Sequence, residues 1–213
     1  KGSNAGTALA GNVQFVNMGA KDLTVTTLGA VTGANTLSAD NSGAITVNMN
    51  KSADTVTAGE TASSTALTFA NASSVTANVN EYQTYNGTLT TGTTGAVKLN
   101  VASKLVNNAE TTNFTGTLTA NSASSVTIDA TGGLTATAIN AEKATTVSIT
   151  AGANSAATAS ISAAKATTLN VTAGSKGLAI TAAAGKLEKV QTATLKTDGA
   201  LSFATANLSD AAD

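Results

Sequence analysis

AEKATTVSITAG, residues 141–152, is followed by AAKATTLNVTAG, residues 163–174, so that the two stretches lie over one another at an offset of about 22 residues. Both open on a small turn-like tetrad, AEKA or AAKA, and run into an alternation of apolar and polar residues, VSIT or LNVT. Strict alternation puts one side chain on each face of an extended chain in turn. A fixed period of 20 to 50 residues is the mark of a repeat architecture, in which neighbouring units bury a core that no unit could bury alone.

The same format recurs along the chain in LTVT (23–26), ITVNM (45–49), LTF (67–69), VKLNV (97–101) and VTID (126–129). Gly, Asn, Ser and Asp clusters such as ADNSGA and TDGA separate these runs, which is turn chemistry. Followed by their first apolar residue, the runs form two interleaved series with a step of about 22 residues. One is Leu23, Ile45, Leu67, Leu89, Phe114, Leu134, Ala159, Leu178 and Leu201. The other is Leu37, Val56, Val75, Val97, Val126, Val147, Leu169 and Ala193.

Two short strands per period predict an all-β fold, a parallel β-solenoid of about 22-residue coils, each pairing its backbone with the coils above and below. About nine coils at roughly 4.8 Å each give a rod of about 40 to 45 Å. VSIT and LNVT are then direct parallel neighbours, with Val147, Ile149, Leu169 and Val171 in the core and Ser148, Thr150, Asn170 and Thr172 outside. Thr145, Thr146, Thr167 and Thr168 line one strip. The rival architecture is a set of tandem β-sandwich-like domains, whose short strands also come every 8 to 12 residues. Sandwich strands have no reason to repeat their turns, as this chain does at Lys143 and Lys165.

Residues 1–213 read as a single repetitive β domain, with a loop or short helix inserted at 102–113 within VASKLVNNAETTN. The opening KGSNAGTALAGNV lacks the apolar h-region of a signal peptide, and with NLSDAAD at the other end the chain reads as a segment of a longer one. No apolar run reaches the roughly 20 residues that cross a bilayer as a helix.

Composition narrows the function. The chain is 42% hydrophobic but only 11% charged and 3% aromatic, against roughly 25% charged residues in an average protein. It has no Cys, His, Pro, Trp or Arg, and all eleven basic residues are Lys. Without His or Cys no Ser-His-Asp or Cys-His arrangement can be built, and no thiolate zinc site. A net charge of −1 with no basic run offers no footprint for nucleic acid. Missing proline suits a backbone whose N–H groups are committed to ladders.

A carboxylate pair for sugar cleavage remains a formal option, but Asp22, Asp40, Asp54, Glu60, Glu81, Glu110, Asp129, Glu142, Glu188 and Asp198 are scattered singly. Glu142-Lys143 and Glu188-Lys189 recur just before a strand, either as a charge ladder for lateral contact or as a solvated turn worth at most about 1 kcal/mol. NEYQTYNG, residues 80–87, holds both tyrosines, which either stack on a sugar or partner or cover a loop against their own coil. The only Gly-Gly, Gly132-Gly133, lacks the downstream Gly-x-Asp of the calcium-binding β-roll repeat. Turns such as Asp40-Asn41 offer oxygen ligands without singling out a metal site. No catalytic or cofactor-binding residue is therefore assigned, and metal ligands stay unassigned.

The excess of Thr, Ala, Ser, Val and Asn, Lys without Arg, and the phrases ATTVSITAG, ASSVTIDATG and LEKVQTATLKTDGA resemble the middle of a bacterial surface-layer protein. The resemblance is to the type I-secreted, RTX-like kind, similar to those of Campylobacter and Caulobacter. It implies a structural, non-enzymatic protein of the cell surface that assembles with its own copies into a two-dimensional lattice, while another part of the polypeptide holds lipopolysaccharide or the envelope. Calcium enters only through this resemblance. The leading alternative is a β-helical adhesin or autotransporter passenger that binds host or neighbour molecules. A polysaccharide-acting enzyme on the same scaffold is a third class.

Overall fold

The computed structural model describes residues 12–16, 18–28, 36–40, 42–50, 66–80, 84–102, 113–182 and 184–204. Nineteen strands are found among them. In chain order they are β1 (Val13–Phe15), β2 (Leu23–Leu28), β3 (Thr36–Ala39), β4 (Ala44–Asn50), β5 (Ala66–Phe69), β6 (Ser74–Val79), β7 (Thr84–Tyr85), β8 (Thr88–Thr91), β9 (Ala96–Val101) and β10 (Asn113–Phe114). The rest are β11 (Thr117–Thr119), β12 (Ser125–Ala130), β13 (Gly133–Asn140), β14 (Thr146–Ala151), β15 (Ala157–Ser162), β16 (Thr168–Ala173), β17 (Leu178–Ala182), β18 (Thr192–Thr197) and β19 (Leu201–Ala204).

The strands form two sheets. One follows β1-β3-β5-β8-β11-β13-β15-β17-β19, with β7 and β10 as a side branch on β13, and the other follows β2-β4-β6-β9-β12-β14-β16-β18. Neighbours in a sheet are two or three strands apart in the chain and run parallel, as in Val147 opposite Leu169 and Ile149 opposite Val171. The molecule is thus a β-solenoid, and the parallel pairing removes the sandwich alternative. The first sheet's main path takes eight steps between nine strands and the second sheet seven between eight, a described length of about 34 to 38 Å at roughly 4.8 Å per step. This is a little under the rod of about 40 to 45 Å expected from the apolar series.

The two series also cross between sheets. Leu23 and Ile45 lie in the second sheet, opposite one another, and Ile45 continues to Val75, not to Leu67. Leu37 lies in the first sheet and continues to Leu67. The step here is 30 residues, so a steady count of 22 lands half a coil out, on the opposite sheet. Val56 lies outside the described residues. A second long step joins Leu89 to Leu118, and Phe114 stands on the side branch between Tyr85 and Leu134. Residues 103–112, most of the inserted stretch, lie outside the described residues. Beyond it Ala159 pairs with Ala136 and Ile180, two residues away from the expected Leu134 and Leu178.

Inward side chains form the core. Val126, Val147 and Leu169 are buried at one ladder position, and Ile128, Ile149 and Val171 at the next. Ser148, Thr150, Asn170 and Thr172 lie outside, as alternation requires. The quoted tetrads are corners: Ala144 donates its N–H to the Ala141 carbonyl and Ala166 to that of Ala163. The same turn joins Ala120 to Ala123 and Leu187 to Val190, and all eight of these end residues are buried. At Gly152, with φ +83, a Cβ would collide with the Gly177 carbonyl of the next coil, so only glycine meets both the backbone angle and the space.

Candidate functional site

Side chains on the outside of the stack are bonded along it, one coil to the next. In the second sheet Asn48 donates its amide to Thr26 Oγ1, Asn78 to Asn48 Oδ1 at 2.7 Å and Asn100 to Asn78 Oδ1 at 2.6 Å. Farther along, the Asn170 amide donates to Ser148 Oγ at 3.1 Å. Thr146 faces Thr168, and the Thr145 and Thr167 hydroxyls donate to the carbonyls of Ser124 and Thr145. These polar groups are thereby partly satisfied within the protein, which makes a hydrated surface of fixed hydroxyl and amide columns.

Most described carboxylates do not converge. Asp22 Oδ1 accepts from the Ala44 N–H at 2.8 Å, and Asp40 Oδ1 from the Met18 N–H at 3.4 Å. Each ties the backbone of an adjacent coil. Asp129 lies beside Asn100 in the outer ladder, while Asn41, Asp54, Glu60, Glu81 and Glu110 lie outside the described residues. Among the described residues no three His, Cys, Asp or Glu come together as a metal site, and no helix is long and apolar enough to cross a membrane. Gly132 donates its N–H to the Val101 carbonyl and Gly133 begins β13, so this pair serves a strand entry.

The turn edge is where charge gathers. Glu142 pairs with Lys186 Nζ at 2.7 Å, 44 residues and two coils away, and not with its chain neighbour Lys143. It also accepts from the Ser162 hydroxyl and, at 3.4 Å, from the Ala164 N–H. The hydrogen bond from Lys186, and then that from Ser162, hold its carboxyl below the usual range. Lys143, Lys165 and Lys189 each precede by three residues the paired threonines Thr146, Thr168 and Thr192, so they form one exposed column. Glu142 and Glu188 are thus not equivalent: the first is engaged and the second is half-exposed on the turn.

Tyr85 is not a surface platform. It is buried, its hydroxyl donates to the Thr88 carbonyl at 2.8 Å, and its ring lies 5.6 Å from that of Phe114. Burial pushes its hydroxyl pKa far up, so it stays neutral. Tyr82 lies outside the described residues. Sequence reasoning missed Thr91 and Thr93, which are buried where alternation leads one to expect apolar residues. Their hydroxyls accept the N–H groups of Thr93 and Gly95, a local bond that satisfies them inside; the spacing of threonine two residues before the bonded position was the available signal.

The last described coil differs from the others. At successive coils one core position reads Val126, Val147 and Leu169, all buried, then Ala193, exposed; the next reads Ile128, Ile149 and Val171, then Leu195, 48% exposed.

The class that these features define is a parallel β-solenoid with polar, ladder-bonded outer faces. Comparison with protein-family models, with curated proteins and with solved structures found no match.

Proposed function

We propose that this chain is a structural element of a bacterial surface layer, an extracellular building block that meets copies of its own protein in a two-dimensional lattice. The observation that carries the reading is the self-similar stack: coil follows coil in parallel register, which supplies length and stiffness. The polar columns support it, since fixed hydroxyl and amide groups keep the faces hydrated with very few charges. A net charge of −1 supports it too, because copies close to neutrality repel one another little. The compositional resemblance to type I-secreted, RTX-like surface-layer proteins points the same way. In this reading the function needs no catalytic group, and lipopolysaccharide or envelope attachment belongs to another part of the polypeptide.

The test is the whole protein, purified and examined by electron microscopy for sheet formation with and without calcium. Ordered sheets in either condition support the reading, and the comparison decides whether calcium takes part. A dispersed monomer in both conditions that binds a host glycan or protein tightly overturns it in favour of an adhesin.

A further inference from the structure

We infer that the outer face of the first sheet is a surface on which a second copy of this chain packs, face to face about a two-fold axis. This deepens the proposed self-contact and rests on that reading for its biological setting.

The first sheet is set apart by what its strands lack. They contain no Lys, Asp or Glu, whereas the second sheet carries Lys98, Asp129 and Lys196. Every other described charge stands between strands. Alternation fixes what the face shows instead. Leu37, Leu67, Leu89, Leu118, Ile139 and Ile161 form one buried ladder. The next residue of each strand points outward, so Ser38, Thr68, Thr90, Thr119, Asn140 and Ser162 hold one ladder position on six successive coils. Thr88 and Thr117 belong to the column on the other side of that ladder.

Charged residues are depleted at the cores of protein interfaces, and without them two like faces approach with no repulsion between them. A hydroxyl is both donor and acceptor, so a face of hydroxyls complements its own copy, which a face of one charge cannot do. Its bonding capacity is largely unused within the chain. From coil to coil along the Ser38 to Ser162 column the described residues show one bond, the Asn140 amide to Thr119 Oγ1 at 3.5 Å. In the second sheet the Asn78 and Asn100 amides are engaged at 2.7 and 2.6 Å. Eight steps of roughly 4.8 Å, with strands of about five residues at about 3.3 Å each, give a face of about 38 by 16 Å, or about 600 Å². Two such faces bury about 1,200 Å², the lower end of specific interfaces. The free dimer is therefore weak. Because each copy offers the same patch, the contact is isologous and closes at two.

The experiment is analytical ultracentrifugation of the 213-residue chain over a range of concentrations, with Thr158→Lys and Thr150→Lys as a matched pair. Both are exposed threonines, the first on this face in β15 and the second on the opposite face in β14. Each variant is first checked for unchanged far-ultraviolet circular dichroism and cooperative unfolding. The parent chain is expected to pass from monomer to dimer with concentration. Thr158→Lys, which buries an unpaired charge in the contact, should raise the dissociation constant about tenfold or more, and Thr150→Lys should leave it unchanged. Thr90→Lys, exposed on the same face, repeats the test and replaces Thr158→Lys should that variant unfold. A parent chain that stays monomeric at all concentrations overturns the proposal, as does a dimer that the face variants leave intact or that Thr150→Lys weakens equally. A monomer that binds a soluble neutral glucan, and loses it in Thr158→Lys, gives the face to a sugar and overturns it too. If the chain stays monomeric while the whole protein forms sheets, face packing fails and the lattice reading stands on other contacts. If the dimer forms and responds to the variants as expected but the whole protein makes no sheets, the lattice reading fails alone.

Discussion

Replacing Val147 by Asp sets the largest energetic contrast the stack allows with the smallest change of position. Val147 is fully buried between Val126 and Leu169. Losing its apolar burial costs about 2 kcal/mol. The carboxylate must then either be buried as a charge or take up a proton, and holding an Asp neutral at pH 7 costs about 4 kcal/mol against an unfolded-state pKa of about 3.9. The total of about 6 kcal/mol is comparable to the whole stability of many domains, roughly 5 to 15 kcal/mol. Ser148→Asp, one residue on, points outward and keeps an acceptor for the Asn170 amide now bonded to Ser148 Oγ. It should stay within about 0.5 kcal/mol of the parent, as surface changes do. Urea denaturation followed by circular dichroism compares the two directly. Equal losses would refute the assigned facing, and with it the period-2 argument on which the core rests.

Cysteines at Thr146 and Thr168, which face each other on adjacent coils, should form a disulfide on mild oxidation, since a strand spacing of about 4.8 Å falls within the roughly 4.4–6.8 Å that a bridge needs; failure to cross-link in a folded chain would contradict the register. Glu142 has a depressed folded pKa, so its stabilising effect is full above the ordinary carboxylate range and fades as pH falls through the folded value. Glu142→Gln should therefore cost under about 1 kcal/mol at neutral pH, the range of exposed pairs, and the difference should vanish in acid; a gap in denaturation midpoint that widens with acidity would contradict the pairing. Asn78→Asp removes the amide that donates to Asn48 and sets a carboxylate against its oxygen, so a loss of about 1–2 kcal/mol is expected in chemical denaturation, and an unchanged midpoint would mean that the amide column does not act in solution.

The regular half of the chain was legible in advance. From Val126 to Val171 the second sheet has the facing, the partners and the turns that the sequence pattern implies, because every coil there is of nearly constant length and each strand alternates cleanly. The first half deceived the count. Both sheets carry the same short apolar–polar alternation, so nothing in Leu67 or Val75 says to which sheet it belongs, and one 30-residue coil is enough to exchange the two series. Contacts between distant residues were illegible for a different reason. The pairing of Glu142 with Lys186 spans two coils, and Lys143 is an equally good partner by sequence alone. Tyr85 was ambiguous because an aromatic ring with a polar tip suits a binding platform as well as a core, and only the neighbouring Phe114 branch decides for the core. Thr91 and Thr93 were hidden because local bonds to the backbone satisfy their hydroxyls inside.

The central claim, that the stack is a building block that meets its own kind on a cell surface, is tested most directly by electron cryotomography of cells that carry the whole protein. The account predicts an ordered two-dimensional array over the envelope that disappears when the protein is deleted and returns when it is restored. A disordered coat, or isolated molecules with no repeating contact between copies, would contradict it.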